Sequence, residues 1–160
     1  MRGTNLAMTR GGLPRPRWDN RDMRPSTSRG ATHPWGEQDT PYLEIGGDEE
    51  VRALVDSFYD IIEDESPQLR AMLPRKTTGS RQKLYEFLSG WMGGPQLYWE
   101  KHGHPRLRMR HFPFSIGDAE AEEWMRCMRK AMDERSVPDD LRSFLDSKLS
   151  ESALHLRNRV

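Results

Sequence analysis

The 160-residue sequence predicts one small all-α domain behind a basic, hydrophobic-poor extension. Three observations carry this expectation. Apolar residues recur at offsets of three and four in separate segments beyond residue 48, as on a buried helical face. No segment shows the strict alternation of a strand, and residues 1–40 show neither period. At 18.7 kDa the chain fits the roughly 100–200 residues of an ordinary domain.

The extension comes first. Residues 1–40 mix Arg, Gly, Pro, Ser and Thr with scattered Leu6, Trp18 and Trp35. Such a composition buries too little apolar surface to offset its ordering entropy, so 1–40 reads as a disordered extension and 41–160 as the folded domain. The formal net charge of zero hides an asymmetry: residues 1–35 carry seven arginines against two aspartates, leaving 18 basic and 23 acidic residues for 36–160. Arginine-rich segments can bind phosphate backbones or acidic partners. Here the arginines are dispersed, which favours a solvated extension over a nucleic-acid interface.

Helix signals then follow in order. Gly46-Gly47 breaks the chain, and Val51, Leu54, Val55, Phe58 and Ile62 form the first apolar face. Pro67 interrupts it, and Leu69, Met72 and Leu73 suggest a short turn before Pro74. After the polar Thr77-Thr78-Gly79-Ser80, a second helix carries Leu84, Phe87, Leu88 and Trp91, and stops at Gly93-Gly94-Pro95. Residues 95–117 have no sustained period and read as irregular. A third helix presents Trp124, Cys127, Met128 and Ala131, with Asp118, Glu120, Glu122 and Glu123 at the end where the helix dipole favours acids. Ser136-Val137-Pro138-Asp139 has the spacing of a capping box opening a fourth, whose face is Leu141, Phe144, Leu145, Leu149 and Leu156.

Composition narrows the class further. A mean hydropathy of −0.90 and the absence of any apolar run near roughly 18 residues exclude a spanning helix. The first residues hold no hydrophobic signal core, and Cys127 is the one cysteine, so neither an internal disulfide nor a multi-thiolate metal site is available. A cytoplasmic protein with no membrane partner is the expectation.

The segment from His102 to Phe114 concentrates the chemistry: three histidines (102, 104, 111) and three arginines (106, 108, 110) fall within ten residues. Residue types alone leave three readings beside a plain loop. A zinc site would use the histidines, although no carboxylate or thiolate stands at a regular offset to complete it. A nucleic-acid loop would combine the arginines with Phe112 and Phe114. Haem ligation would use one imidazole on iron, with nearby cations neutralising the propionates.

The run Gly103-His104-Pro105-Arg106-Leu107-Arg108-Met109-Arg110-His111, followed by Phe112-Pro113-Phe114, resembles the proximal segment of group II truncated haemoglobins. Gly46-Gly47 and Gly93-Gly94-Pro95 resemble that family's glycine pairs, Phe58-Tyr59 its aromatic pair with a distal tyrosine, and Trp124 its distal tryptophan. The resemblance spans residues 42–157.

It implies a two-over-two helical sandwich around haem b (iron protoporphyrin IX), with His111 as proximal iron ligand. It implies haem contacts at Ser80, Lys83, Tyr98 and Arg110, the last three toward the propionates. Leu73, Leu84, Phe87, Leu88, Phe112 and Phe114 would line the pocket. Tyr59 and Trp124 would donate hydrogen bonds to a diatomic ligand, each contributing about 1–3 kcal/mol in a dry pocket. Where the family often carries an aromatic or histidine before Pro74, this chain has Leu73, which removes a third distal donor. The implied function is binding of O2, and of NO, CO or peroxide, for storage, delivery or sensing. The alternative is redox chemistry (NO dioxygenation or a peroxidase-like reaction) with an external reductase, since no flavin or nicotinamide motif is present. A homodimer completes the partners the resemblance raises.

Overall fold

A computed structural model of the chain describes residues 33–106, 111 and 115–158. They form seven helices: α1 (Pro41–Ile45), α2 (Asp48–Glu65), α3 (Pro67–Arg70), α4 (Thr78–Trp91), α5 (Leu97–His102), α6 (Asp118–Glu134) and α7 (Asp139–His155). Among the described residues there is no strand, only an isolated bridge between His33 and Gly36. The four long helices pack as two pairs: α2 lies against α4, α6 lies against α7, and α2 meets α6 to join the pairs.

Local chemistry sets most helix ends. Thr40 caps α1 by accepting from the Leu43 N–H, and Pro41 begins the helix where its missing N–H is not needed. Gly46 and Gly47 both take positive φ, 119° and 82°, which lets α1 end and α2 begin without a linker. The second glycine pair has a packing role as well: Tyr42 donates its N–H to the Met92 carbonyl at 3.0 Å, and a side chain at Gly94 would collide with the Tyr42 ring. The two glycine pairs of the sequence thus meet in space. At α6, the Gly117 N–H is closed by the Glu120 carboxylate at 2.7 Å.

The core is drawn from α2, α4, α6 and α7: Val51, Leu54, Phe58, Leu88, Met128, Met132, Leu141 and Leu145 are all essentially buried. Three expectations need correction. Residues 33–40 do not belong with the extension, because Trp35 is 0% exposed, edge-on to Phe144 of α7 at 5.1 Å and stacked on His33 at 4.8 Å. One indole buries enough apolar surface to order a short strap that composition reads as solvated. Residues 97–102, read as irregular, form α5. Finally, Ser136 does not cap α7: it sits at φ 54° in the α6–α7 turn, and Pro138 is the cap residue. Leu156 lies just past that helix. The expectations for residues 1–32, and those for Arg110, Phe112 and Phe114, fall outside the described residues.

Candidate functional site

Tyr59 projects from the buried face of α2 at 8% exposure, with its ring edge-on to Phe58 at 5.2 Å. Phe58 in turn meets the half-buried Trp124 ring of α6 at 4.9 Å. One buried aromatic therefore touches both expected donors. Neither the Tyr59 hydroxyl nor the Trp124 indole N–H has a hydrogen-bond partner among the described residues, and neither polar atom is sealed off from contact. Burial pushes the Tyr59 phenol up to about 12, against a smaller opposing pull from the Arg81 guanidinium, 5.7 Å from the ring centre. The phenol therefore keeps its proton, and its capacity to donate, throughout the neutral range.

Arg81 itself ties the start of α4 to α2. It donates to Asp56, Asp60 and Glu63 at 3.2, 2.8 and 3.2 Å, and to Thr77 Oγ1 at 3.0 Å. On the same helix Ser80 is half-buried and Lys83 exposed, and neither has a polar partner among the described residues. Leu88 is buried, whereas Leu84 and Phe87 are only partly covered, as is Leu73 after α3. The most buried side of α4 is carried instead by Tyr85, Glu86, Leu88, Ser89, Gly90 and Trp91. The Leu84–Phe87 stripe is thus core-facing without being closed.

Tyr98 is the one buried residue of α5. Its ring stands edge-on to Phe87 at 6.4 Å and tilted against His102 at 4.6 Å, and its hydroxyl has no partner among the described residues. What holds α5 to α4 is ionic. Glu86, 4% exposed, accepts from Gln82 at 2.9 Å and Lys101 at 3.1 Å, and pairs with His102 Nε2 at 3.0 Å. These partners outweigh the opposing effect of burial and hold the Glu86 carboxyl below its usual range.

His111 is half-buried, and its carbonyl accepts from Asn158 Nδ2 at 3.1 Å. The other two histidines of the segment are engaged elsewhere: His102 with Glu86, and His104 through Nδ1 with the Arg106 N–H at 2.9 Å. Among the described residues no three His, Cys, Asp or Glu side chains converge as a metal site, which removes the zinc reading of the histidines. Sequence reasoning missed Glu86, Arg81 and Asn158. Glu86 left a signal, a charge inside the apolar run Tyr85–Leu88; Asn158 left none.

Two joined helix pairs, two donors without partners among the described residues and a partly covered apolar stripe on α4 are the features a shortened globin needs. The chain matches the family described as bacterial-like globin over residues 40–158. It is 40% identical over 120 residues to the group 2 truncated haemoglobin YjbI of Bacillus subtilis (strain 168), covering 75% of this chain and 89% of that protein. It superposes on the group II 2-on-2 haemoglobin of the plant pathogen Agrobacterium tumefaciens with a TM-score of 0.74 at 42% identity, covering 78% and 98% of the two chains. A structure described as a truncated oxygen-avid haemoglobin from Bacillus subtilis gives 0.71 at 40% identity, covering 74% and 99%. The chain belongs to the group II truncated haemoglobins, two-over-two globins of the bacterial-like family.

Haem b is the cofactor of this family, and small gas molecules are its ligands. The residues present fit that group. Leu73, Leu84, Phe87 and Trp124 offer apolar surface their own fold leaves uncovered, and the unpaired Lys83 offers a cation for a carboxylate. No helix among the described residues is long and apolar enough to cross a membrane.

Proposed function

We propose that this chain binds O2 at a haem iron held by the His111 imidazole, with Tyr59 and Trp124 as the hydrogen-bond donors that retain the ligand. When bound, the haem supplies an iron that takes up a small diatomic molecule and polarises it. The observation that carries the reading is the pair of donors, both touching Phe58 and both lacking a partner among the described residues. Both donors are open to contact, so an acceptor brought by a ligand can take their hydrogen bonds without displacing a partner among the described residues. The relative described as oxygen-avid supports O2 as that ligand.

Each remaining residue has a physical task. Lys83, exposed at the edge of α4, neutralises a propionate; the free Tyr98 hydroxyl donates to the same group, and Ser80 contacts the macrocycle edge. Arg110 adds a second cation beside His111. Leu73, Leu84, Phe87 and Leu88 keep water from the ligand side, and the family resemblance gives Phe112 and Phe114, which follow His111 in the sequence, the same task. With Leu73 apolar, retention rests on two donors rather than three.

The absorption spectrum of the purified protein tests this directly. The expected result is a strong Soret band that His111→Ala abolishes or shifts to the spectrum of a haem without its imidazole. A colourless protein that takes up no haemin would overturn the reading, and so would a His111→Ala variant spectrally identical to the parent.

A further inference from the structure

The residues that follow α7 do something that neither the fold nor the helix pattern requires. Beyond the end of α7, Asn158 makes three hydrogen bonds to the segment that carries His111. Its backbone N–H donates to the Ile116 carbonyl at 2.8 Å, and its side-chain Oδ1 accepts from the Ile116 N–H at 2.8 Å. Its Nδ2 donates to the His111 carbonyl at 3.1 Å. The orientation of the carboxamide is settled by its partners, since a backbone N–H can only donate and a carbonyl can only accept.

A single planar amide thus spans two backbone points five residues apart. Ile116, buried, anchors one end, and α6 begins two residues later at Asp118. The anchor itself is tied down by Arg157, which pairs with Asp118 and donates to the Leu154 carbonyl at 3.0 Å. The peptide that follows the His111 Cα is therefore fixed to the start of α6 and the end of α7.

We propose that Asn158 is the positioning residue for the His111 imidazole, setting its direction by holding its carbonyl; this rests on the reading of His111 as iron ligand. Asn is the fitting side chain because the task needs an acceptor and a donor on one rigid group. Aspartate has the same shape and keeps the bond from the Ile116 N–H, but cannot donate to His111.

The test compares the holoprotein with Asn158→Asp and Asn158→Ala. Resonance Raman of the ferrous protein reads the iron–imidazole stretching vibration, haem transfer to an excess of apomyoglobin reads haem loss, and circular dichroism reads the melting temperature. Both variants are expected to shift or broaden the vibration; Asn158→Asp, which loses one bond, should speed haem loss roughly three- to tenfold, and Asn158→Ala, which loses both side-chain bonds, by more. Asn158→Asp should do so with helical content and melting close to the parent. An unmoved vibration in both variants overturns the proposal, even if haem loss quickens, because that pattern marks a purely structural bond. A parent protein with no iron–imidazole vibration would instead fail at His111 itself, which separates the two readings.

Discussion

A phenol that keeps its proton to about pH 12 is a dependable donor, and Tyr59 owes this to burial on α2. Trp124 reaches the same state differently, since an indole N–H can only donate. Their equivalence is testable. Tyr59→Phe removes one donor and only its oxygen, and Trp124→Phe removes one donor with part of the indole, so O2 release measured by stopped flow should quicken about tenfold or more in each, the effect of about 1.4 kcal/mol. An off-rate within twofold of the parent in both would refute the two-donor account. Cys127 shows another use of burial: wholly enclosed, its thiol is pushed up, although the Arg126 guanidinium donates to its sulfur at 3.7 Å.

Between elements, polar ties do what apolar contact does not. Helix α5 contributes only Tyr98 to the interior, and Glu86 holds it by Lys101 and His102. Removing the carboxylate leaves Lys101 and His102 without it, but Lys101 is already 60% exposed and rehydrates at once. The cost of Glu86→Ala should therefore be the lost charge-assisted bonds, about 1–3 kcal/mol, rather than that of stranding a buried charge. Urea unfolding of the apoprotein measures this, and a change below about 0.5 kcal/mol would show that α5 is held by Tyr98 alone. The strap at Trp35 leans on a large apolar contact with Phe144; the indole N–H donates to the Gln38 carbonyl at 2.8 Å within the strap, and the Gln38 N–H donates to Glu44 of α1 at 2.8 Å.

For the molecule as a whole, the response to alkali carries the signature of the pocket. Tyr59 has an ordinary value of 10.0 unfolded and about 12 folded, so folding favours its protonated form. The corresponding stabilisation is complete below pH 10 and is lost as pH rises through 12. The apoprotein's melting temperature should therefore fall across that interval, and Tyr59→Phe should fall less steeply; parallel curves for the two would contradict the assignment. At the acid end, the Arg126 guanidinium at 2.8 Å draws Glu123 down to about 2, so its contribution is complete above the usual carboxylate range and is lost progressively as pH falls from there through about 2.

The sequence by itself determined the four long helices and their order, because a buried face repeats every three to four residues and leaves Val51–Ile62 and Leu141–Leu149 readable without a partner. It also determined the family, through the glycine pairs, Phe58-Tyr59, Trp124 and the run ending at His111. Tertiary structure decided what depends on distance in space rather than along the chain. Trp35 finds Phe144 across more than a hundred residues, Gly94 must be small because Tyr42 lies on it, and Leu84 and Phe87 prove partly open where a helical period alone reads them as core. Asn158 is the sharpest case: an asparagine near the chain end carries no pattern, and only the fold sets it against the carbonyl of His111. Periodicity records which side of a helix leaves water; it holds no record of which remote polar atom will be waiting there.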